Sequence, residues 1–151
     1  MISAIIDFAD VLLAALLVGA MFGVWLMFNP ARRAPGLYIT LHQHGIRTLN
    51  TALPAFGVAN VMLSLAAAVL ARGQGARSAL LLATAVCFAA GGLITRLRNQ
   101  RINAIVITWN SDAPPLNWAD VSRLWLRWHL LRFLAGLAGL SLLIAALLRR
   151  G

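Results

Sequence analysis

Apolar residues along this chain are gathered into four long runs: Ala4 to Phe28, Leu49 to Ala71, Ser78 to Ile94 continuing toward Ile107, and Leu130 to Leu148. Each is close to the roughly 20 residues that a helix needs to cross about 30 Å of hydrocarbon. None alternates between polar and apolar with a period of two, which excludes barrel strands. In lipid a continuous apolar run can satisfy its own backbone groups only as a helix. The pattern predicts an all-α integral membrane four-helix bundle, antiparallel and up-down-up-down. It forms a single transmembrane domain with helices at about 4–29, 42–72, 77–108 and 118–148. The first run lacks a basic leader and carries Asp7 and Asp10, so it reads as a retained helix.

Composition strengthens this picture. Of 151 residues 61% are apolar and 11% charged, with no Glu and no Lys, far more hydrocarbon than a soluble core of this size needs. The single cysteine, Cys87, sits mid-span and excludes an internal disulfide or a multi-cysteine metal site. The net charge of +9 comes from 13 arginines without an alternating basic and aromatic surface, so it points to membrane topology and lipid headgroups, with no nucleic-acid partner. Arg72, Arg77, Arg149 and Arg150 fall on one side. Arg32, Arg33, Arg47, Arg96, Arg98, Arg101, Arg123 and Arg127 fall on the other. That excess puts the two long loops in the cytoplasm and both termini outside, with a bacterial inner membrane as the expected location.

Helical faces, read at 100° per residue, bring chemistry into the pattern. In the fourth run Trp125, Trp128, His129 and Arg132 share a stripe that continues into Gly136 and Gly139, while Arg123 and Arg127 lie opposite. Glycines let helix backbones approach closely, so the stripe is expected to face the bundle. At the same end, Gln43, Arg47, Asn50, Pro54 and Gly57 share a face of the second helix. Gly92, Arg96, Asn99, Gln100 and Asn103 share one on the third, and the first helix ends with Trp25 and Asn29. Antiparallel connection gathers these ends into a polar pocket rich in arginine and tryptophan, closed by the loops PARRAPGLY and NSDAPPLN. Polar residues that share an inward face inside a membrane point to function, whereas helix-end arginines and tryptophans that merely anchor would be scattered around each helix.

Two readings of the histidines stay open. In a helix His42 and His44 point about 200° apart and cannot share an ion. In an extended segment they share a side, and His129 or Asp112 joins them as ligands for copper, iron or zinc. At the opposite end Asp7 and Asp10 complement the helix dipole or pair with Arg72 or Arg77. The small residues Ala15, Gly19 and Gly23 offer a surface for packing within the chain, or between subunits of a homo-oligomer or larger membrane complex.

The segments GAMFGVWLMFNP, HQHGIRTLNTALP and RINAIVITWNSDAPPLNWADVSRLWLRWHLLR together resemble the small four-helix integral membrane family that includes the anthrone oxygenases. The resemblance covers nearly the whole chain. It is most specific at Asn103, Trp109, the pair Asn117 and Trp118, and then Arg123, Trp128, His129 and Arg132. It implies oxidation of a methylene to a carbonyl in a lipophilic polycyclic phenol, using dioxygen and neither metal nor organic cofactor. The chain departs from the family pattern at Asn117, where that pattern implies an acidic residue. Such chemistry needs a base, cationic groups for the resulting anion, and flat apolar walls. On that expectation His129 or His42 is the base, Arg132, Arg47 and Arg96 hold the anion, Gln43, Asn50 and Asn103 orient it, and Trp25, Trp125 and Trp128 form the walls. Two other classes remain beside it: a non-catalytic accessory or ligand-binding subunit of a membrane complex, and a metal-dependent oxidase built on His42, His44 and His129.

Overall fold

A computed structural model describes residues 1–149; Arg150, Gly151 and the side chain of Arg32 lie outside the described residues. Helix α1, Ile2–Met27, ends at a short 3-10 turn, Pro30–Arg32, where the Asn29 side chain accepts the Ala31 amide at 3.1 Å. Helix α2, Pro35–Leu49, starts with proline in its first turn, where a missing N–H costs nothing. Helix α3 is Ala52–Leu70. Helix α4, Gly75–Ile94, runs through a π-helical turn, Thr95–Asn99, into α5, Gln100–Val106. Helix α6 is Trp118–Leu148.

The helix expected at 42–72 is thus two helices. Pro54 has no amide to give the Asn50 carbonyl, so the ladder lapses at 50–51 and resumes with the Ala55 amide on the Thr51 carbonyl at 3.1 Å. Four helices are long and apolar enough to cross a membrane: α1, α3, the continuous Gly75–Val106, and α6. Helix α2 stands outside that set and packs over one end of the bundle, against α3 and α5.

Sequence neighbours lie antiparallel, as bonds between them show. The Ser64 hydroxyl donates to Asp10, that of Ser78 to the Ala68 carbonyl, and that of Thr84 to the Gly139 carbonyl. The bundle is apolar outside and polar within. Ile5, Phe8, Val58, Met62, Val69 and Val86 are all more than 60% exposed, whereas Asp10, Asn60, Ser64, Thr84 and His129 are fully buried. Water would reverse that arrangement, and lipid supports it. The chain is a multi-pass membrane protein whose outer faces meet the bilayer.

Glycines set how closely α6 approaches its neighbours. A Cβ on Gly136 would stand 2.7 Å from Cε of Met21 on α1, and one on Gly139 3.2 Å from Cys87 and Phe88 on α4. The inward stripe of α6 follows, with Trp125, His129, Arg132, Gly136 and Gly139 all buried. Ala15 and Gly19 face outward instead and pack nothing within the chain.

Candidate functional site

Arg132 is the centre of the polar end. Its Nε donates to Nδ1 of His129 at 3.1 Å and its Nη1 to Oγ1 of Thr95 at 3.3 Å, while Thr95 itself donates to the Gly91 carbonyl. A guanidinium can only donate, so Nδ1 of His129 must be the acceptor. The ring proton therefore sits on Nε2, which donates to the Met21 carbonyl at 2.9 Å. Both nitrogens of His129 are engaged. It aims Arg132, as a positioning residue, and has no lone pair left for a substrate proton. Among the described residues no carboxylate lies within ion-pair distance of Arg132, and its Nη2 has no protein partner.

Beside Arg132 a cavity of about 500 Å³ opens between α3 and α4. Its walls are apolar, from Met21, Val61 and Phe88 among others, and its polar lining of Thr95, Arg96, Gln100 and Arg132 is confined to one end. A second pocket of about 40 Å³ continues inward from Thr95 and Arg132 to Asn50, Asn103 and Trp125. There Asn103 donates to Asn50 at 3.0 Å and accepts the Trp125 indole N–H at 2.7 Å, which orients all three side chains. The π turn creates this division of labour. It adds a residue to one turn of helix, so Gly92, Arg96 and Gln100 line the large cavity while Asn99 turns to the Trp125 carbonyl at 3.2 Å.

Behind Trp125 runs a row of rings. Trp125 stacks on His129 with centroids 5.1 Å apart and meets His42 edge-on at 4.5 Å, and Tyr38 meets His42 at 5.6 Å. Neither ring nitrogen of His42 has a hydrogen-bond partner, nor do the hydroxyls of Tyr38 and Ser122. Both rings belong to α2, outside the spans. Burial pushes His42 down to about 4, with the nearby Asn103 amide working weakly the other way. Burial likewise pushes Tyr38 up to about 12, opposed by Ser122.

A histidine held below its unfolded value near 6.5 takes up a proton on unfolding, so stability rises with pH between the two values. The contribution is complete above about 6.5 and is lost as pH falls toward about 4. His42→Phe, which keeps the ring packing, is expected to remove ~3 kcal/mol of this acid sensitivity. Melting of wild type and variant across that interval measures it. An identical pH dependence would show that His42 contributes none.

Other expected site residues fall elsewhere. Gln43 spends its amide on the carbonyls of Val106 at 3.0 Å and Trp109 at 2.8 Å, so it caps α5 and does not touch a cavity. Arg47 is exposed and lines neither pocket. Trp25 is 38% exposed beside Phe22 on the outer face, and Trp128 lies under the Arg98 guanidinium at 4.7 Å, so of the three tryptophans only Trp125 reaches the site. The segment with both histidines is helical. His42 is buried and His44 exposed, as is Asp112. With both His129 nitrogens engaged, the three histidines do not converge on an ion. Among the described residues no three metal-ligating side chains do.

The loops do meet over this end, where Gly36 leaves room for the Ser111 carbonyl, 2.6 Å from where a Cβ would stand. Thr95, Tyr38 and Ser122 were not singled out from sequence. Tyr38 lies one helical turn before His42 and Thr95 three residues after Gly92, so helical spacing carried a signal for both. No family model, curated protein or solved structure matches the chain.

Proposed function

We propose that the protein is a membrane-embedded oxygenase that binds a lipophilic polycyclic phenol, of the anthrone kind, as its anion at Arg132. The observation that carries this reading is a buried guanidinium without a carboxylate partner at the inner end of a 500 Å³ apolar cavity open to lipid. An acidic C–H between two aryl rings loses its proton more readily when the resulting phenolate-type anion meets a preorganised cation. The anion then reduces dioxygen. The diaryl methylene and O2 give the diaryl ketone and water, one oxygen atom entering each product, so no further reductant is needed.

Arg132 binds the anion, His129 and Thr95 hold Arg132, and Trp125 supplies a flat wall. His42 is an unpartnered buried imidazole behind Trp125 that lines neither pocket, so it accepts the proton only through an intervening water in the inner pocket. The arginines gathered at this end suit the cytoplasmic face of a bacterial inner membrane. The reading needs no metal or organic cofactor.

The test is oxygen uptake by the purified protein in lipid nanodiscs with a panel of anthrones, alongside elemental analysis. Expected is one ketone formed per O2 consumed, faster than substrate alone, without stoichiometric copper, iron or zinc. Rates equal to those of the Arg132→Met variant would sink the proposal. The second reading, a ligand-binding subunit without turnover, is favoured by the engaged nitrogens of His129. Saturable binding of the phenol with no oxygen uptake would select it.

A further inference from the structure

We infer that the ligand of Arg132 arrives sideways from one leaflet of the bilayer, through the gap between α3 and α4, and that Gly92 sets the width of the apolar body that passes. The inference rests on Arg132 as the anion site. Along α3 the cavity runs from Leu53 to Met62 and along α4, through the π turn to the start of α5, from Phe88 to Gln100, with every polar lining group at one end. A ligand seated there lies like a lipid, its anion toward the α2 end and its apolar body toward mid-membrane. The mouth is formed by residues that already face lipid: Val58, Met62 and Leu93 are 64%, 63% and 59% exposed. The cavity lies in the half of the bundle nearer α2, so it opens into that leaflet alone.

A recess of about 330 Å³ shares Arg96 and Gln100 with the cavity at its polar end, whereas access through the inner pocket fails on size. At about 40 Å³ that pocket holds roughly one water molecule and no aromatic ring.

Gly92 has no packing reason to lack a side chain. A Cβ there meets nothing within 4 Å, unlike one at Gly136 or Gly139. Without a Cβ, Gly92 leaves its side of the cavity mouth open. Gly19 and Gly23 are equally unobstructed but line no cavity, and Gly57, which faces the same space from α3, meets only Cδ2 of Leu17 at 4.0 Å.

The experiment compares two probes in nanodiscs by quenching of tryptophan fluorescence: a dihydroxyanthraquinone, tricyclic and without an oxidisable methylene, and pentachlorophenol, monocyclic. Wild type is set against Gly92→Leu and Val58→Phe, which add bulk to the mouth from opposite helices at positions exposed to lipid. Each variant is expected to lower the tricyclic-to-monocyclic ratio of association rate constants, read by rapid mixing, by about tenfold or more. A ratio cannot be mimicked by partial misfolding, which scales both probes alike. An unchanged ratio in both variants, with wild type binding both probes, would overturn the lateral portal and leave the anion site standing. A wild type that binds neither probe would overturn the anion site and the portal with it.

Discussion

Replacing Arg132 with methionine is expected to lower kcat/KM for an anthrone by about 100-fold or more, the usual loss when a preorganised donor to a developing anion is removed. Two of the guanidinium's three nitrogens are held by His129 and Thr95, so the third is aimed before any ligand arrives. Arg132→Lys is not expected to rescue the rate, because a single ammonium cannot keep both anchors and still face the cavity. The fold should survive either change. Two acceptors lose their donor, His129 Nδ1 and Thr95 Oγ1, and the buried His129 nitrogen costs about 1–3 kcal/mol. Steady-state oxygen uptake measures the first effect and thermal melting the second. A methionine variant with wild-type kcat/KM would remove Arg132 from the site.

At the other end of the bundle, Asp7→Leu is expected to destabilise the protein by about 3–5 kcal/mol, the largest single loss anticipated for this chain. Arg77 reaches Asp7 at 2.6 Å with side chains 5% and 3% exposed, so removal of the acid strands a buried cation. The double variant Asp7→Leu, Arg77→Leu is expected to recover most of that loss, because breaking such a pair costs more than replacing it whole. Unfolding in detergent of the two single variants and the double closes the cycle. Equal losses in the single and double variants would show that the pair does not act as a unit. Asp10 is a separate matter: Ser64 donates to it at 2.6 Å, and no arginine is paired with it.

Much of the fold is legible in the chain because the information is local. The length of each apolar run counts the turns available to cross the bilayer, and a 100° step puts Trp125, His129 and Arg132 on the same stripe as Gly136 and Gly139 whatever they touch. The helical segment around His42 and His44 likewise separates the two rings by local geometry alone. The resemblance to the anthrone oxygenases added the expected chemistry, which remains a proposal for this chain.

Other features depend on how one helix is rotated and slid against another, and no single segment encodes that. The face expected to unite Gly92, Arg96, Asn99, Gln100 and Asn103 is split by the π turn, which shifts the phase of everything after it. Gln43 sits on the expected face but is consumed by the carbonyl end of α5, and Trp25 lies near the correct depth on the lipid side of α1. Sequence by itself determined four spans, their order and one inward stripe, because these follow from hydrophobic length and helical period. Only tertiary structure decided that His129 serves Arg132, that Arg77 meets Asp7, and that Gly57 and Gly92 line one cavity between α3 and α4, because each is set by how separate helices meet.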